Sequence, residues 1–438
     1  MTRGNPTKLL IKFALPMLVG NLFQQLYNIV DSVIVGKFIG KNALAAVGSS
    51  FMAMNFFSFV IIGLCIGSGI VFSYYFGQNN QARLRKSIFI SLFFIGIFTG
   101  LMSLVLVLNT SRILGLMNTP ENIMAESLAY LRVIFSGLFF VFLYNWSSSV
   151  LRSIGDSKTP LIFLVLSAFI NIGLDLYFVL GLELGVKGVA YATILAQATS
   201  SLLCIAYGLI RTPMLRLGRE DISFDREIMK EVGRYSFLTS IQQSVMTFGM
   251  LVVQGYVNLF GPDTIAAFAS GGKIESIANL PMQDFGNAFG TYVAQNKGAG
   301  RDDRIDLGFK SVVRIIIVFG LIISSLIYLN AGRFMRIFVR AQEVNVIEIG
   351  VEYMSILSIF YTLLGFLLMF YGYFRGMGQL NSSLLLTIIS LGTRVIIVAS
   401  LSPRLGRTVI WWAAPIGWFL ADLVGFFLHY RNKKLSNI

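Results

Sequence analysis

The sequence predicts an all-α integral membrane protein with twelve transmembrane helices arranged as two six-helix bundles. Three observations predict this class. Apolar residues make up 55% of the 438 positions and charged residues only 13%, whereas soluble domains carry about 25% charged residues. Long apolar runs recur along the chain at lengths suited to a bilayer. The second half of the chain also repeats markers of the first half in the same order.

The apolar runs predict the individual spans. The run 88–108, for example, is about as long as the roughly 20 residues that a helix needs to cross a bilayer core. Lipid offers no hydrogen-bond partners, so such runs should be helical, and they lack the alternation of a membrane β-barrel. The predicted spans lie near residues 9–36, 54–76, 88–108, 128–150, 160–180, 187–210, 235–258, 275–295, 312–330, 350–373, 383–401 and 409–430.

The polar stretch 211–234 divides the chain into an N-terminal bundle, 1–210, and a C-terminal bundle, 235–438. Its mixed charge predicts a solvated cytoplasmic linker. Each half has an even number of spans, so both halves start on the same side of the membrane. We therefore expect a pseudo-twofold axis along the membrane normal. The recurring markers are Gly40 with Gly261, Gln78 with Gln295, and Gly155 with Gly378.

The net charge of +14 indicates orientation rather than binding to nucleic acid. When both termini are placed in the cytoplasm, Lys and Arg concentrate in the inward-facing segments, as in most membrane proteins. We therefore expect a multi-pass protein of a bacterial or archaeal plasma membrane with cytoplasmic termini. Cys65 and Cys204 lie in apolar runs and predict neither a disulfide framework nor a metal site.

Acidic side chains inside the spans are the candidate functional groups, because ionisable groups are costly in a bilayer. Asp31 and Asp175 belong to the same bundle, and Asn171 lies one helical turn before Asp175 on the same face. Two carboxylates close together in a low dielectric do not both stay ionised, so they would bind a proton or share a cation. Asn171 and the Thr193 hydroxyl would add neutral oxygens suited to a hard cation. The alternative is that each Asp pairs with a distant Arg or caps a broken helix.

Other groups inside the spans are less informative. The roles of Asp284 and Asp422 stay open, and Arg132 and Arg394 are the basic members of the set. Pro16 should bend the first span, either as a fixed kink or as a moving hinge. The glycines of the second span are spaced like small residues at a helix contact; they are Gly63, Gly67 and Gly69.

Several catalytic motifs are missing from the sequence. It contains no phosphate-binding loop, and neither a metalloprotease His-Glu pair nor a G-x-S-x-G elbow. A membrane enzyme would need a cluster of reactive side chains, and His429 is the single histidine. We therefore expect a transporter driven by an ion gradient, with no cofactor other than the coupling ion.

Several segments resemble the multidrug and toxic compound extrusion (MATE) family, and the likeness covers essentially the whole chain. Each piece alone is common, but the combination is specific. The segments are 28–31 (Asn-Ile-Val-Asp), 44–48 (Leu-Ala-Ala-Val-Gly), 171–175 (Asn-Ile-Gly-Leu-Asp), 185–193, and 295–300 (Gln-Asn-Lys-Gly-Ala-Gly).

The resemblance implies two six-helix bundles around a central cavity. It also implies export of amphipathic, often cationic compounds in exchange for H⁺ or Na⁺. In the family's DinF-like branch the N-terminal bundle holds the coupling site. Carried over position by position, this gives Asp31, Asn171, Asp175 and Thr193, with Tyr130 as a neighbour.

A second branch, resembling the NorM proteins, binds Na⁺ through acidic residues in spans seven and ten. Here span seven contains Gln242 and Gln243 but no acid, and Glu352 lies only at the outer end of span ten. We therefore expect proton coupling through the N-terminal bundle, with Na⁺ at the same site as the alternative.

The alternative function is a lipid-linked oligosaccharide flippase of the same superfamily. Such a flippase would line its cavity with cationic residues, whereas Arg132 and Arg394 are the mid-span basic residues here. We expect a monomer whose partners are small amphipathic or cationic substrates and the lipid bilayer.

Overall fold

The computed structural model describes residues 1–436, whose regular secondary structure is entirely helical. Two five-residue π-helices, Val35–Ile39 and Tyr177–Gly181, follow the first and sixth α-helices. The α-helices are α1 (Pro6–Ile34), α2 (Lys41–Gly77), α3 (Gln81–Leu116), α4 (Glu121–Ser136), α5 (Leu138–Ser153), α6 (Lys158–Leu176), α7 (Gly185–Arg211), α8 (Arg226–Val257), α9 (Pro262–Gly298), α10 (Asp302–Phe338), α11 (Val344–Ile359), α12 (Tyr361–Gly376), α13 (Leu380–Leu405) and α14 (Thr408–Ser436).

The predicted all-α membrane class is confirmed. Within residues 1–436, nine helices are long and apolar enough to cross a membrane, and α4–α5 and α11–α12 each pass as a bent pair. Helix α9 has 37 residues and occupies the eighth predicted span. Each predicted span lies inside one of these helices or pairs. The helices extend past the spans because backbone hydrogen bonding continues beyond the apolar segment.

The helices form two compact units. The N-terminal unit contains Leu15–Ile241, and the C-terminal unit contains Met1–Ala14 with the described residues from Gln242 onward. Helices α1 and α8 each begin in one unit and end in the other. The predicted bundle bounds, 1–210 and 235–438, stay predictions, and positions 437–438 lie outside the described residues.

Each unit contains the same local features, as the repeat predicts. Helices α4 and α5 meet at Gly137 with a bend of 42°, and α11 and α12 meet at Phe360 with a bend of 55°. Gly40 precedes α2 and Gly261 precedes α9, and their φ angles of 126° and 85° are positive. Glycine adopts positive φ without steric cost, which explains why it recurs at both positions.

The close helix contacts recur as well. A Cβ placed on Gly372 of α12 would lie 2.0 Å from the Gly286 carbonyl oxygen of α9. At the corresponding place in the N-terminal unit, a Cβ on Gly69 of α2 would lie 3.2 Å from Ser149 Cβ of α5. The helix contact predicted for the second-span glycines is thus present, and it is tighter in the C-terminal unit.

The stretch 211–234 packs against α3, although its charges suggested a solvated linker. Leu215 belongs to the buried core of the N-terminal unit. Asp221 is buried, with Arg85 Nε of α3 2.8 Å from its Oδ2. From Arg226 onward the stretch is helical. The composition looks solvated, but two of its acids, Asp221 and Glu227, pair with Arg85 and Arg83 of α3, and the sequence alone does not show these pairs.

Candidate functional site

The buried polar cluster of the N-terminal unit contains the two predicted carboxylates. Asp31 lies near the end of α1 and Asp175 near the end of α6. A π-helix begins within one turn after each of them, and the two π-helices pack against each other. Short π segments inside helices are rare and are frequent at functional sites. Two neighbouring π-helices therefore indicate that this end of the N-terminal unit is a candidate functional site.

The Asp31 and Asp175 carboxyl groups lie within hydrogen-bonding reach of each other. Asp175 is fully buried, and Asp31 is half-buried. No donor among the described residues bonds Asp31 Oδ1 or either Asp175 oxygen. Ionised carboxylates are acceptors only, so this contact becomes a hydrogen bond only when one carboxyl is protonated.

Asn171 places a side-chain amide beside the carboxyl pair. It is buried on α6, one turn before Asp175, and neither its Oδ1 nor its Nδ2 has a partner among residues 1–436. Buried polar atoms without partners are uncommon in folded proteins, because each carries a desolvation cost. Several of them around one carboxyl pair indicate a site for a ligand with positive character.

Two tyrosines enclose the carboxyls. Tyr130 of α4 is buried within electrostatic range of Asp31 and Asp175. Tyr27, one turn before Asp31 on α1, is also buried and hydrogen-bonds the side chains of Gln24 and Gln197. The sequence did not single out Tyr27, Gln24 or Gln197. The spacing of Tyr27 and Asp31, four residues apart, was the one available signal.

Thr193, the neutral oxygen ligand that the sequence predicts, lies on α7 and stays a prediction. Its hydroxyl donates to the Val189 carbonyl oxygen of its own helix, α7, at 3.0 Å. Gln197, one turn further along α7, is the side chain that reaches Tyr27. Gln197 Oε1 has no partner in the part of the chain that the structure describes, so it is a further candidate neutral oxygen beside that of Thr193, which can still accept or ligate.

The alternative that each aspartate pairs with an arginine does not fit the contacts. The ion pairs among the described residues do not include Asp31 or Asp175. Arg132 is exposed, and Arg394 Nη1 lies 3.1 Å from Met250 Sδ in the C-terminal unit.

The other acids of the spans lie in the C-terminal unit. Asp284 and Asp422 are buried on α9 and α14. Glu352 accepts from the Thr408 hydroxyl at 2.5 Å and lies 3.7 Å from Arg407 Nε, which fits a structural role. Glu275 is a further acid that the sequence did not single out. It is buried on α9 and accepts a hydrogen bond of 2.5 Å from Tyr353.

Pro16 lies two residues after the unit boundary in α1, which falls between Ala14 and Leu15. Helix α1 continues through it as one α-helix. The start of the chain is held in the C-terminal unit, where Arg304 Nη2 donates to the Gly4 carbonyl oxygen at 2.9 Å. The residues after Pro16, including Asp31, belong to the N-terminal unit.

The donor set around the carboxyls suits a proton or a small hard cation. It offers carboxylate oxygens, the amide oxygens of Asn171 and Gln197, and tyrosine hydroxyls. Hard monovalent and divalent cations prefer such oxygen ligands, whereas softer transition metals prefer sulfur or imidazole. The cluster can therefore change its net charge by one through binding a cation, while its fold is held by surrounding apolar packing.

Comparison with known proteins gives the family context. The MatE family model matches residues 16–177 and 236–399. Probable multidrug resistance protein YoeA of Bacillus subtilis (strain 168) is 30% identical over 342 residues, which cover 76% of this chain and 73% of YoeA. Probable multidrug resistance protein YpnP of the same organism is 29% identical over 442 residues, 99% of this chain and 96% of YpnP.

Solved structures agree with this assignment. A MATE protein in a straight conformation has a TM-score of 0.90 and 26% identity, covering 100% of this chain and 98% of that protein. A MATE protein in a bent conformation has a TM-score of 0.91 and 25% identity, with the same coverage.

Proposed function

Because the chain belongs to the MATE family of multidrug transporters, we propose that it exports amphipathic or cationic compounds in exchange for protons at Asp31 and Asp175. It is a multi-pass membrane transporter of small molecules and not an enzyme. The coupling ion, the site and the direction of the cycle are the proposed parts.

The carboxyl contact is the observation that carries the proposal. Burying two ionised carboxylates side by side, with no donor or counter-charge, costs several kcal/mol per ion. One bound proton removes that repulsion and creates a hydrogen bond between Asp31 and Asp175. The pair is thus suited to pick up and release a proton as the access of water to Asp31 changes.

Exchange follows when the proton and the substrate exclude each other. The negatively charged cluster attracts a cationic compound. The protonated cluster repels or displaces that compound. If a proton weakens binding of the compound by some factor, the compound weakens proton binding by the same factor. When the site is exposed alternately to the two sides of the membrane, that linkage couples inward proton movement to outward export.

Na⁺ at the same cluster is the second candidate. The unpartnered amide oxygens of Asn171 and Gln197 favour it, because a proton needs only the carboxyls whereas Na⁺ needs several oxygen ligands. The contact between the two carboxyl groups favours the proton.

Motion would be carried by α1. Asp31 is fifteen residues after Pro16, about 22 Å along the helix at 1.5 Å per residue. Proline leaves a backbone carbonyl without its helical hydrogen-bond partner, so bending the helix at this position costs less free energy than bending it elsewhere. Protonation changes the shape of α1 only if the two charge states favour different shapes. We propose that they do, with Pro16 as the hinge.

The remaining assignments are proposals of the same kind. A monomer in the plasma membrane with both termini in the cytoplasm agrees with the distribution of Lys and Arg. We also propose that the chain belongs to the DinF-like branch, because a coupling site in the N-terminal bundle is what resemblance to that branch implies.

The direct test is transport by purified protein in liposomes loaded with a fluorescent cationic dye. An imposed pH gradient should drive dye movement, and a Na⁺ gradient at equal pH should not. Asp31→Asn and Asp175→Asn should each reduce movement to the level of empty liposomes. Glu352→Gln changes a carboxylate to an amide outside the cluster and should retain most activity.

Two outcomes would contradict the proposal. Pumping that persists in both aspartate variants, when they are folded by size-exclusion chromatography, would exclude this coupling site. Movement driven by Na⁺ and not by pH would keep the site and replace the proton with Na⁺.

A further inference from the structure

In the connection between α7 and α8, most acidic side chains have partners, whereas the basic side chains form no ion pairs with the described residues. Between residues 211 and 234, four of the five acids have partners: Asp221 with Arg85, Glu227 with Arg83, Glu231 with the Tyr75 hydroxyl, and Asp225 with backbone N–H groups that open α8. Glu220 is the exception. Asp221 is buried and Glu227 is exposed, but four of the five acidic side chains are each engaged by an ion pair or a hydrogen bond.

The basic side chains of the same connection are all exposed. No ion pair among residues 1–436 includes them, and Arg216 instead caps α7 by donating to the Leu209 carbonyl oxygen at 2.7 Å. A composition that looks nearly neutral thus presents a positive surface. The six basic residues are Arg211, Arg216, Arg219, Arg226, Lys230 and Arg234.

Two large apolar side chains project between these basic residues. Ile222 is 59% exposed and Phe224 is 55% exposed. The Phe224 ring packs against Phe93 and Phe94 of α3, with ring centroids 5.1 and 6.0 Å apart. Both α3 rings are themselves more than 40% exposed, as expected on the lipid-facing side of a membrane helix.

The length of α3 places this aromatic cluster near the membrane boundary. With 36 residues, α3 is about 54 Å long, whereas the hydrocarbon core is about 30 Å thick. An even division of the excess leaves about 12 Å at each end, and Phe93 lies about 18 Å from the start of the helix. Phe93 then lies about 6 Å inside the boundary of the hydrocarbon core, so Phe224 meets α3 in the outer part of the acyl-chain region.

We propose that residues 216–226 form a binding surface for anionic phospholipid headgroups. Ile222 and Phe224 insert among the acyl chains beside α3, and Arg219 and Arg226 contact the phosphate groups. Two arguments select this ligand. The apolar part continues the lipid-facing surface of α3, and the surrounding charge is positive, which a zwitterionic lipid would not use. The surface would fix the connection to the membrane whichever ion drives transport.

The test uses the full chain in nanodiscs of phosphatidylcholine with a rising fraction of phosphatidylglycerol. An environment-sensitive fluorophore is attached at Ile222→Cys; the native Cys65 and Cys204 are both buried. The probe emission should shift with phosphatidylglycerol, and the shift should weaken at high salt. Arg219→Gln with Arg226→Gln should lower the apparent affinity about 10- to 30-fold, at about 1 kcal/mol for each basic residue near the surface.

The matched control keeps both charges. Arg219→Lys with Arg226→Lys should change the half-saturating fraction of phosphatidylglycerol by less than about threefold, because the electrostatic attraction is retained. Equal responses to both lipids, equal half-saturation in the Gln variant and the native background, or a probe fully quenched by aqueous iodide would each overturn the proposal.

Discussion

Six buried polar atoms without protein partners lie in or beside the Asp31–Asp175 carboxyl pair, which makes these few residues the candidates for binding a proton or a cation. They belong to Asp31, Asn171, Asp175 and Gln197. Each unpartnered atom lowers stability, because its hydration is lost and not replaced. A cluster that binds and releases a proton benefits from this, because donors fixed in place would hold the carboxylates permanently ionised.

Tyr27 is the neutral residue that we expect to matter most. Its hydroxyl is held by Gln24 and Gln197 beside Asp31. Tyr27→Phe removes that hydroxyl but preserves the ring packing. We expect the rate of proton-driven dye export to fall about 5- to 10-fold, which corresponds to the loss of about 1–1.5 kcal/mol.

Tyr191→Phe is the matched control for this change, since Tyr191 is 44% exposed on α7. It should transport like the native protein. Equal rates for the two variants would mean that the Tyr27 hydroxyl plays no part in coupling.

Part of this cluster can be predicted from the sequence. Asp31, Asp175 and Asn171 stand out because charged and amide side chains interrupt apolar runs. Tyr27 and Gln197 do not stand out, because tyrosine and glutamine are ordinary in helices. Their role depends on how α1 packs against α7, a long-range contact that periodicity does not encode. Thr193 stays a prediction from the family resemblance, because its hydroxyl donates to its own helix and its oxygen remains able to accept.

At the scale of elements, glycines set how closely helices approach. A Cβ on Gly67 of α2 would lie 2.3 Å from the Tyr235 carbonyl oxygen in the first half of α8. Backbone atoms cannot move aside as a flexible side chain does. We therefore expect Gly67→Ala to push α2 and α8 apart and to lower the free energy of unfolding by about 1–3 kcal/mol.

The measurement is the thermal unfolding midpoint of the purified protein in detergent. Gly48→Ala is the control on the same helix, because a Cβ there meets nothing within 4 Å. That variant should be as stable as the native protein or slightly more stable, because alanine favours helix. A midpoint for Gly67→Ala equal to that of Gly48→Ala would show that the close approach is not needed.

The elements also show where sequence reasoning stops. Hydropathy predicts the twelve spans because the bilayer imposes a length on each apolar run. It does not predict the bends at Gly137 and Phe360, since neither position is a proline. It also does not predict the two π-helices beside the carboxyls, because each of them ends its helix, at Gly40 and Leu182, and no helical register continues in which the extra residue would be visible.

At the scale of the whole molecule, α1 and α8 are the helices shared by the two units. Only α1 has a proline close to the unit boundary. We expect Pro16→Ala to impair transport severalfold while binding of dye to the purified protein is retained. Alanine restores the helical hydrogen bond that proline lacks, so bending α1 at this position costs more free energy, while the carboxyl cluster is unchanged. Dye efflux and dye binding would be measured on the same preparation.

Pro415→Ala provides the comparison, because Pro415 lies inside α14 and away from the unit boundary. It should transport at close to the native rate. Native transport in Pro16→Ala would remove the hinge from the mechanism and leave the proton site in place.

The orientation of the chain is tested separately. Thr2→Cys and Lys434→Cys place a thiol near each end of the described chain, and Cys65 and Cys204 are buried. A membrane-impermeant maleimide should label both positions from the cytoplasmic side of oriented vesicles. Labelling from opposite sides would exclude an even number of spans.

The proposed exchange requires that a proton and a substrate compete for the Asp31–Asp175 pair. The most direct measurement is proton release when a cationic substrate binds to the purified protein in weakly buffered detergent solution, followed with a pH indicator. We expect that substrate binding releases protons from the native protein, and that the Asp31→Asn and Asp175→Asn variants still bind substrate but release none. Substrate binding without proton release in the native protein, or unchanged release in both variants, would contradict the proposed exchange.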